Sequence, residues 1–303
     1  MNKALLIALW CLAHAHAQEV ATRSLTLDAR LLNLPVCKDA PKQLVKLEVG
    51  GKKVREFEIE FTSEKKPDFY VFLDVTAWKG QAAILRGPSA GGGGDRGGGG
   101  EEEGGAGGGG EGGGPGSLND PNGLLHYDGE HHLFYQLHPY GVKSGSKSWG
   151  HAVSRDFLHW EELPIAIHAE DEGMMFSGSG VVDWKNTTGF QTGKEPPLVL
   201  IYTATGPPRD QRLAFSNDRG RTWTKYTGNP VLPEVAHNNR DPKVFGDEPT
   251  QRWVMILHCT EKGKKLPPID PKDPTRKTGE FVFFPSPDLK QWKREGSVIG
   301  FAE

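Results

Sequence analysis

Residues 87–116 hold 19 of the chain's 40 glycines, broken by an acidic knot at Glu101-Glu102-Glu103. Such a stretch cannot bury enough apolar surface to offset the entropy of ordering it, so the sequence predicts a flexible, disordered linker there. No single core can run through it. The flanking regions must each build their own, and 303 residues suffice for that. The expected organisation is a leader at 1–17, a small domain at 18–86, the linker at 87–116 and a larger domain at 117–303.

The leader runs from Lys3 through an apolar stretch at 4–12 to Ala15-His16-Ala17. A short apolar run ending in a small-x-small site is the pattern of a secretory signal peptide, so cleavage after Ala17 and a secreted or periplasmic protein are expected. Cys11 would leave with the leader. Cys37 and Cys259 fall in different expected domains, and neither has His or Cys neighbours at metal-ligand spacing. Neither a disulfide framework nor a metal site is expected, and no cofactor is implied.

Upstream of the linker, residues 43–49 and 55–61 alternate apolar with polar around Gly50-Gly51, as two half-buried strands joined by a hairpin turn do. Residues 68–75 predict a further, more fully buried strand. A small β-sandwich with a structural or carbohydrate-associated role accounts for this region. Downstream, 124–127 and 131–136 flank Asp128-Gly129, a second hairpin signal. More strands are expected at 178–183, 198–203, 212–216, 253–258 and 280–284, with almost no helical periodicity. A loose repeat organises them: Ser154-Arg-Asp-Phe-Leu-His-Trp160, Ser216-Asn-Asp-Arg-Gly-Arg-Thr-Trp223 and Ser286-Pro-Asp-Leu-Lys-Gln-Trp292. In each, Ser and Asp can bond nearby backbone amides in a turn, while Trp packs between sheets from the following strand. The repeats start 62 and 70 residues apart, a fitting length for a four-stranded blade, which indicates a β-propeller. Similar turns in an all-β sandwich are the alternative.

The formal net charge is −3 and no Lys/Arg cluster stands out, so the footprint of a nucleic-acid or anionic-membrane binder is missing. A neutral partner is expected. Oligomeric state is not legible.

Two segments trap a carboxylate before proline: Asn119-Asp120-Pro121-Asn122 and Arg240-Asp241-Pro242-Lys243. Proline pushes the preceding residue into the extended region, which can aim its side chain off the strand into a pocket. Asp270-Pro271 and Asp273-Pro274 share the dipeptide but sit in what reads as an ordinary loop. Context separates the first two. The first precedes the hairpin ending Phe134-Tyr135-Gln136 and then Trp149-Gly-His-Ala-Val-Ser154, and further on come Phe176-Ser-Gly-Ser179 and Arg240-Asp-Pro.

These phrases, in this order, resemble glycoside hydrolase family 32, the invertase, levanase and inulinase family, over residues 117–303. Its members carry motifs like W-x-N-D-P-N-G, Y-Q, F-S-G-S, R-D-P and E-C-P, and four of the five stand here. The resemblance implies a five-bladed β-propeller, incomplete at about three blades in this chain, and a retaining fructosyl hydrolase acting on levan, inulin or sucrose through a covalent fructosyl intermediate. It implies that Asp120 is the nucleophile and Asp241 the transition-state stabiliser, with Arg240 holding the carboxylates ionised and oriented. Asn119, Gln136, Phe176 and Ser177 would line the fructose pocket, Phe176 packing on the sugar's apolar face. The closing Gly300-Phe301-Ala302-Glu303 resembles the phrase leading into E-C-P, which would make Glu303 the acid/base.

Several residues depart from the family pattern. Ser117 replaces an aromatic, Leu137-His138-Pro139 replaces x-N-P, and Ser144 and Lys147 stand where an aromatic and an apolar residue are usual. A C-terminally truncated ring with unpaired edges is expected, and with it poor stability and no activity for the chain as written. A carbohydrate-binding propeller without catalysis is the competing reading.

Overall fold

A computed structural model describes residues 20–38, 40–60, 67–88, 116–141, 145–236, 238–259 and 278–301. The expected leader, the glycine tract from 89 to 115, Asp270, Asp273 and Glu303 lie outside the described residues.

The first unit is a small β-sandwich. β1 (Val20–Thr26), β6 (Ala82–Pro88), β3 (Lys42–Val49) and β4 (Lys52–Glu60) form one sheet in that order, and β2 (Leu31–Val36) pairs with β5 (Phe69–Asp74) in the other. Leu47, Phe57, Val71 and Leu73 fill the space between them. The β3–β4 hairpin turns at Gly50 and Gly51, with φ of 58° and 76°, where side-chain-bearing residues are strained. Two expectations need correcting. β5 alternates buried and half-buried residues because only one of its faces meets the other sheet. Gly87 and Pro88 belong to β6, pairing with Ala21 and Val20, since the edge of β1 supplies backbone partners that outweigh their weak strand propensity.

Beyond residue 116 the chain forms three four-stranded antiparallel sheets that follow one another in sequence, the blades of an open β-propeller. The first comprises β7 (Ser117–Tyr127), β8 (Glu130–His138), β9 (Ser148–Ser154) and β10 (Trp160–Ile167). The second comprises β11 (Met175–Val182), β12 (Leu198–Ala204), β13 (Asp210–Ser216) and β14 (Thr224–Lys225). The third comprises β15 (Arg240–Asp247), β16 (Arg252–Cys259), β17 (Thr278–Ser286) and β18 (Gly296–Phe301). β11 packs against both β7 and β15, so the first strand of each blade lies innermost. The approach is close at Gly180, where a Cβ would come within 2.4 Å of the Gly123 carbonyl oxygen.

Each repeat builds the same turn. The Asp156, Asp218 and Asp288 carboxylates accept backbone N–H bonds from residues two to four further on, at 2.8–2.9 Å. The indoles of Trp160, Trp223 and Trp292 donate to the carbonyl three residues back, at 2.9–3.0 Å. Trp223 packs edge-on to Phe134 of the first blade, and Trp292 packs on the cluster shared by the second and third. Trp160 departs from expectation, remaining 40% exposed, because no blade precedes the first among the described residues.

The sandwich meets the first blade through the loop after β8. Tyr140 belongs to the sandwich core, its ring 4.1 Å from that of Phe57. Lys53 pairs with Asp171, and Arg55 Nη2 lies 3.3 Å from His168 Nε2.

Candidate active site

The inner strands share a local defect. The ladder slips between Leu118 and Pro121 on β7, between Phe176 and Gly178 on β11 and between Arg240 and Lys243 on β15. A β-bulge frees a residue from pairing and re-aims its side chain. The three bulges carry Asp120, Ser177 and Asp241, so these residues singled out in sequence sit at corresponding places on adjacent strands.

Asp120 is exposed on β7, with Asn119 exposed beside it. Its backbone carbonyl accepts from Asn122 Nδ2 at 3.1 Å. Its carboxylate Oδ2 accepts from the Ser177 hydroxyl at 3.0 Å. Ser177 Oγ in turn accepts from Gln136 Nε2 at 2.9 Å, and Gln136 Oε1 accepts from Lys147 Nζ at 3.1 Å. Gln136, Ser177 and Asp120 are thus joined in one hydrogen-bonded series.

Asp241 corrects a detail of the sequence reading. Its φ is +60°, in the left-handed region rather than the extended one that proline favours. The bulge removes Asp241 from the ladder, and its N–H donates instead to Thr203 Oγ1 at 3.1 Å. Thr203 is fully buried and donates to Gln211 Oε1 at 2.7 Å, which fixes the acceptor and with it the unusual backbone.

The Asp241 side chain, 43% exposed, pairs with Arg240 Nε at 3.1 Å. Burial of its surroundings holds this carboxyl above the usual carboxylate range; Arg240 and Arg209 oppose the rise, and the charge of Asp120 adds to it. Arg240 orients Asp241 but does not by itself keep it at an ordinary acidity. Phe176 has two cations near its ring, Lys147 Nζ at 5.7 Å and Arg209 at 5.4 Å from the centroid. Glu303 lies outside the described residues, so the separation of an acid/base from Asp120 is not defined.

Sequence reading missed Thr203, Gln211, Arg209 and Ser179. Ser179 accepts from the Val244 amide and donates to the Pro242 carbonyl, at 3.0 and 2.8 Å, clamping β11 to the bulge that carries Asp241. Thr203 showed only as a polar residue ending an apolar strand and Ser179 only as the last residue of the Phe176-Ser-Gly-Ser179 phrase, while Gln211 and Arg209 gave no signal. A separate cleft of about 560 Å³ lies toward the far ends of the same inner strands, lined by residues such as Leu125, Val181 and Val244, and contains neither Asp120 nor Asp241.

Residues 115–301 match the family model described as glycosyl hydrolases family 32 N-terminal domain. A levanase of Bacillus subtilis is 49% identical over 177 residues, covering 58% of this chain and 24% of that protein. An extracellular exo-inulinase of Aspergillus awamori is 38% identical over 203 residues, covering 58% and 35%. Among solved structures, a fructofuranosidase of Schwanniomyces occidentalis complexed with fructose has a TM-score of 0.53 and 37% identity, covering 61% of this chain and 35% of that one. The chain thus spans between about a quarter and a third of the length of these relatives.

Proposed function

Because this chain belongs to glycosyl hydrolase family 32, we propose that it hydrolyses β-fructosidic bonds in levan, inulin or sucrose. The observation that carries this reading is the placement of Asp120 and Asp241 on bulges of β7 and β15, the two inner strands that flank β11. One is held by a hydroxyl donor and the other by an arginine.

In the proposed reaction Asp120 attacks the anomeric carbon of the fructosyl unit, and a protonated carboxyl, assigned to Glu303 by resemblance, donates to the leaving oxygen. Water then hydrolyses the fructosyl ester, with the same carboxyl now acting as base, and configuration is retained. Asp241 accepts hydrogen bonds from sugar hydroxyls that strengthen as the oxocarbenium-like transition state forms. Ser177 fixes the Asp120 carboxylate and the buried Gln136 fixes Ser177, while the exposed Asn119 offers its amide to the sugar. Secretion follows from the leader at 1–17 and suits polymeric substrates met outside the cell.

The test is Asp120→Asn in the full-length protein. Fructose release from all three substrates is expected to fall about 10⁴-fold with the thermal transition unchanged, since an amide cannot form the ester. NMR of the first product formed by the parent should contain the β-anomer. Turnover by the Asn variant within tenfold of the parent would overturn the nucleophile assignment, and tight fructan binding without turnover by the parent would favour a binding propeller.

A further inference from the structure

Lys147 stands just before β9, at a position where the family usually has an apolar residue, and it begins a hydrogen-bonded series with a defined direction. An ammonium group can only donate, so the amide oxygen of Gln136 must face it, at 3.1 Å. That choice leaves the amide nitrogen facing Ser177 Oγ, at 2.9 Å. Ser177, already accepting, has its single hydroxyl hydrogen to give, and the group in reach is Asp120 Oδ2 at 3.0 Å. An ionised carboxylate only accepts, so donors run one way from cation to anion. Gln136 is 3% exposed, and in such low-dielectric surroundings each bond polarises the next. Lys147 is itself anchored, its carbonyl accepting from the Met175 amide at 2.7 Å where β11 begins, two residues before Ser177.

We propose that Lys147 is a positioning residue: it sets the orientation of the Gln136 amide, and through Ser177 it holds the Asp120 carboxylate in a single attacking geometry. The inference rests on the role proposed for Asp120. Without the cation, the Gln136 amide is free to turn over. Its oxygen would then face Ser177, draw the hydroxyl hydrogen toward itself and leave Asp120 without its donor.

The experiment compares Lys147→Met, Lys147→Gln and Lys147→Arg in the full-length protein, each checked for a parent-like thermal transition. With sucrose as substrate, the Met variant is expected to lose about tenfold in kcat with a smaller change in KM, and the Arg variant to recover most of it. The Gln variant, which keeps a donor without the charge, should fall between them. In parallel, the side-chain ¹⁵N–¹H resonances of Gln136, assigned with Gln136→Glu, should move or broaden in the Met variant and return in the Arg variant. A Met variant with parental kcat and an unmoved Gln136 amide would overturn the proposal, as would an Arg variant as impaired as Met in both readouts. Should the Met variant not fold, the Gln variant decides by the same two readouts. If the parent releases no fructose from any substrate, the reading of Asp120 fails, while the amide resonances still decide whether Lys147 orients Gln136.

Discussion

The sandwich and the blades are both antiparallel β-structure, yet they spend their interiors differently. The sandwich buries Leu, Val, Ile and Phe, and Glu60 at the end of β4 is its one buried polar residue among those described. The blades bury Gln136, His132, His151, Asp183, Thr203, Asp210 and Gln211 along with their aromatics. Buried polar groups stabilise a fold less than apolar ones of the same volume, but a satisfied network fixes orientation. The contrast teaches that the sandwich is built for cohesion and the blades for placing functional groups.

The largest effect expected to sharpen this contrast is at Asp241. Asp241→Asn should lower fructoside hydrolysis about 10³-fold, with the thermal transition held within a few degrees, as read by initial rates beside calorimetry. A comparable loss of stability would mean that Asp241 belongs to the packing rather than to the site. In the sandwich the balance should reverse: Leu47→Ala is expected to cost about 2–5 kcal/mol in denaturant unfolding while kcat per folded molecule changes less than twofold.

Smaller effects separate the blades from one another. Trp223→Ala, which empties a contact with Phe134, should cost about 2–3 kcal/mol, and Trp160→Ala under about 1 kcal/mol, because the same turn meets no preceding blade among the described residues. Equal costs would show that the turn's own hydrogen bonds, not the blade contact, carry the stability.

A graded effect, spread over a range of pH, is seated in the first blade. Burial depresses His132 and His138 from 6.5 to about 4 and drives His151 down as well. Below pH 6.5 the unfolded chain takes up protons that the folded chain refuses. Stability is therefore complete above pH 6.5 and declines as the pH falls toward 4, by up to about 1.4 kcal/mol per pH unit for each histidine. Urea unfolding at a series of pH values would measure the slope. A His132→Phe variant should flatten it, and an unchanged slope would remove His132 from the account.

Local signals carried much of the fold in the sequence. Gly50-Gly51 and Asp128-Gly129 marked hairpins that form at those residues, each with positive φ at both central positions. The Ser-x-Asp turns were legible because their bonds close within a few residues of chain. β1, β2 and β6 were not read, since their pairing depends on distant partners such as the Ala21 and Gly87 match. At the site, proline marked the two carboxylates, but the left-handed backbone of Asp241 depends on Thr203, which is 38 residues away in sequence. Nor could spacing reveal that Lys147, noticed only as a departure from the family pattern, ends a series of bonds leading to Asp120.

Tyr140 gives the two units a shared stake in one side chain. It is four residues past Gln136 in the chain, yet its ring lies in the sandwich core, 4.1 Å from Phe57. Peeling the sandwich away would require drawing that ring into water, and the slack would be released into the loop that follows the strand bearing Gln136. A protease nick, a destabilising allele or a mechanical load on the small unit would therefore be felt first at the end of the strand bearing Gln136, so the division of labour between the units does not make them independent parts.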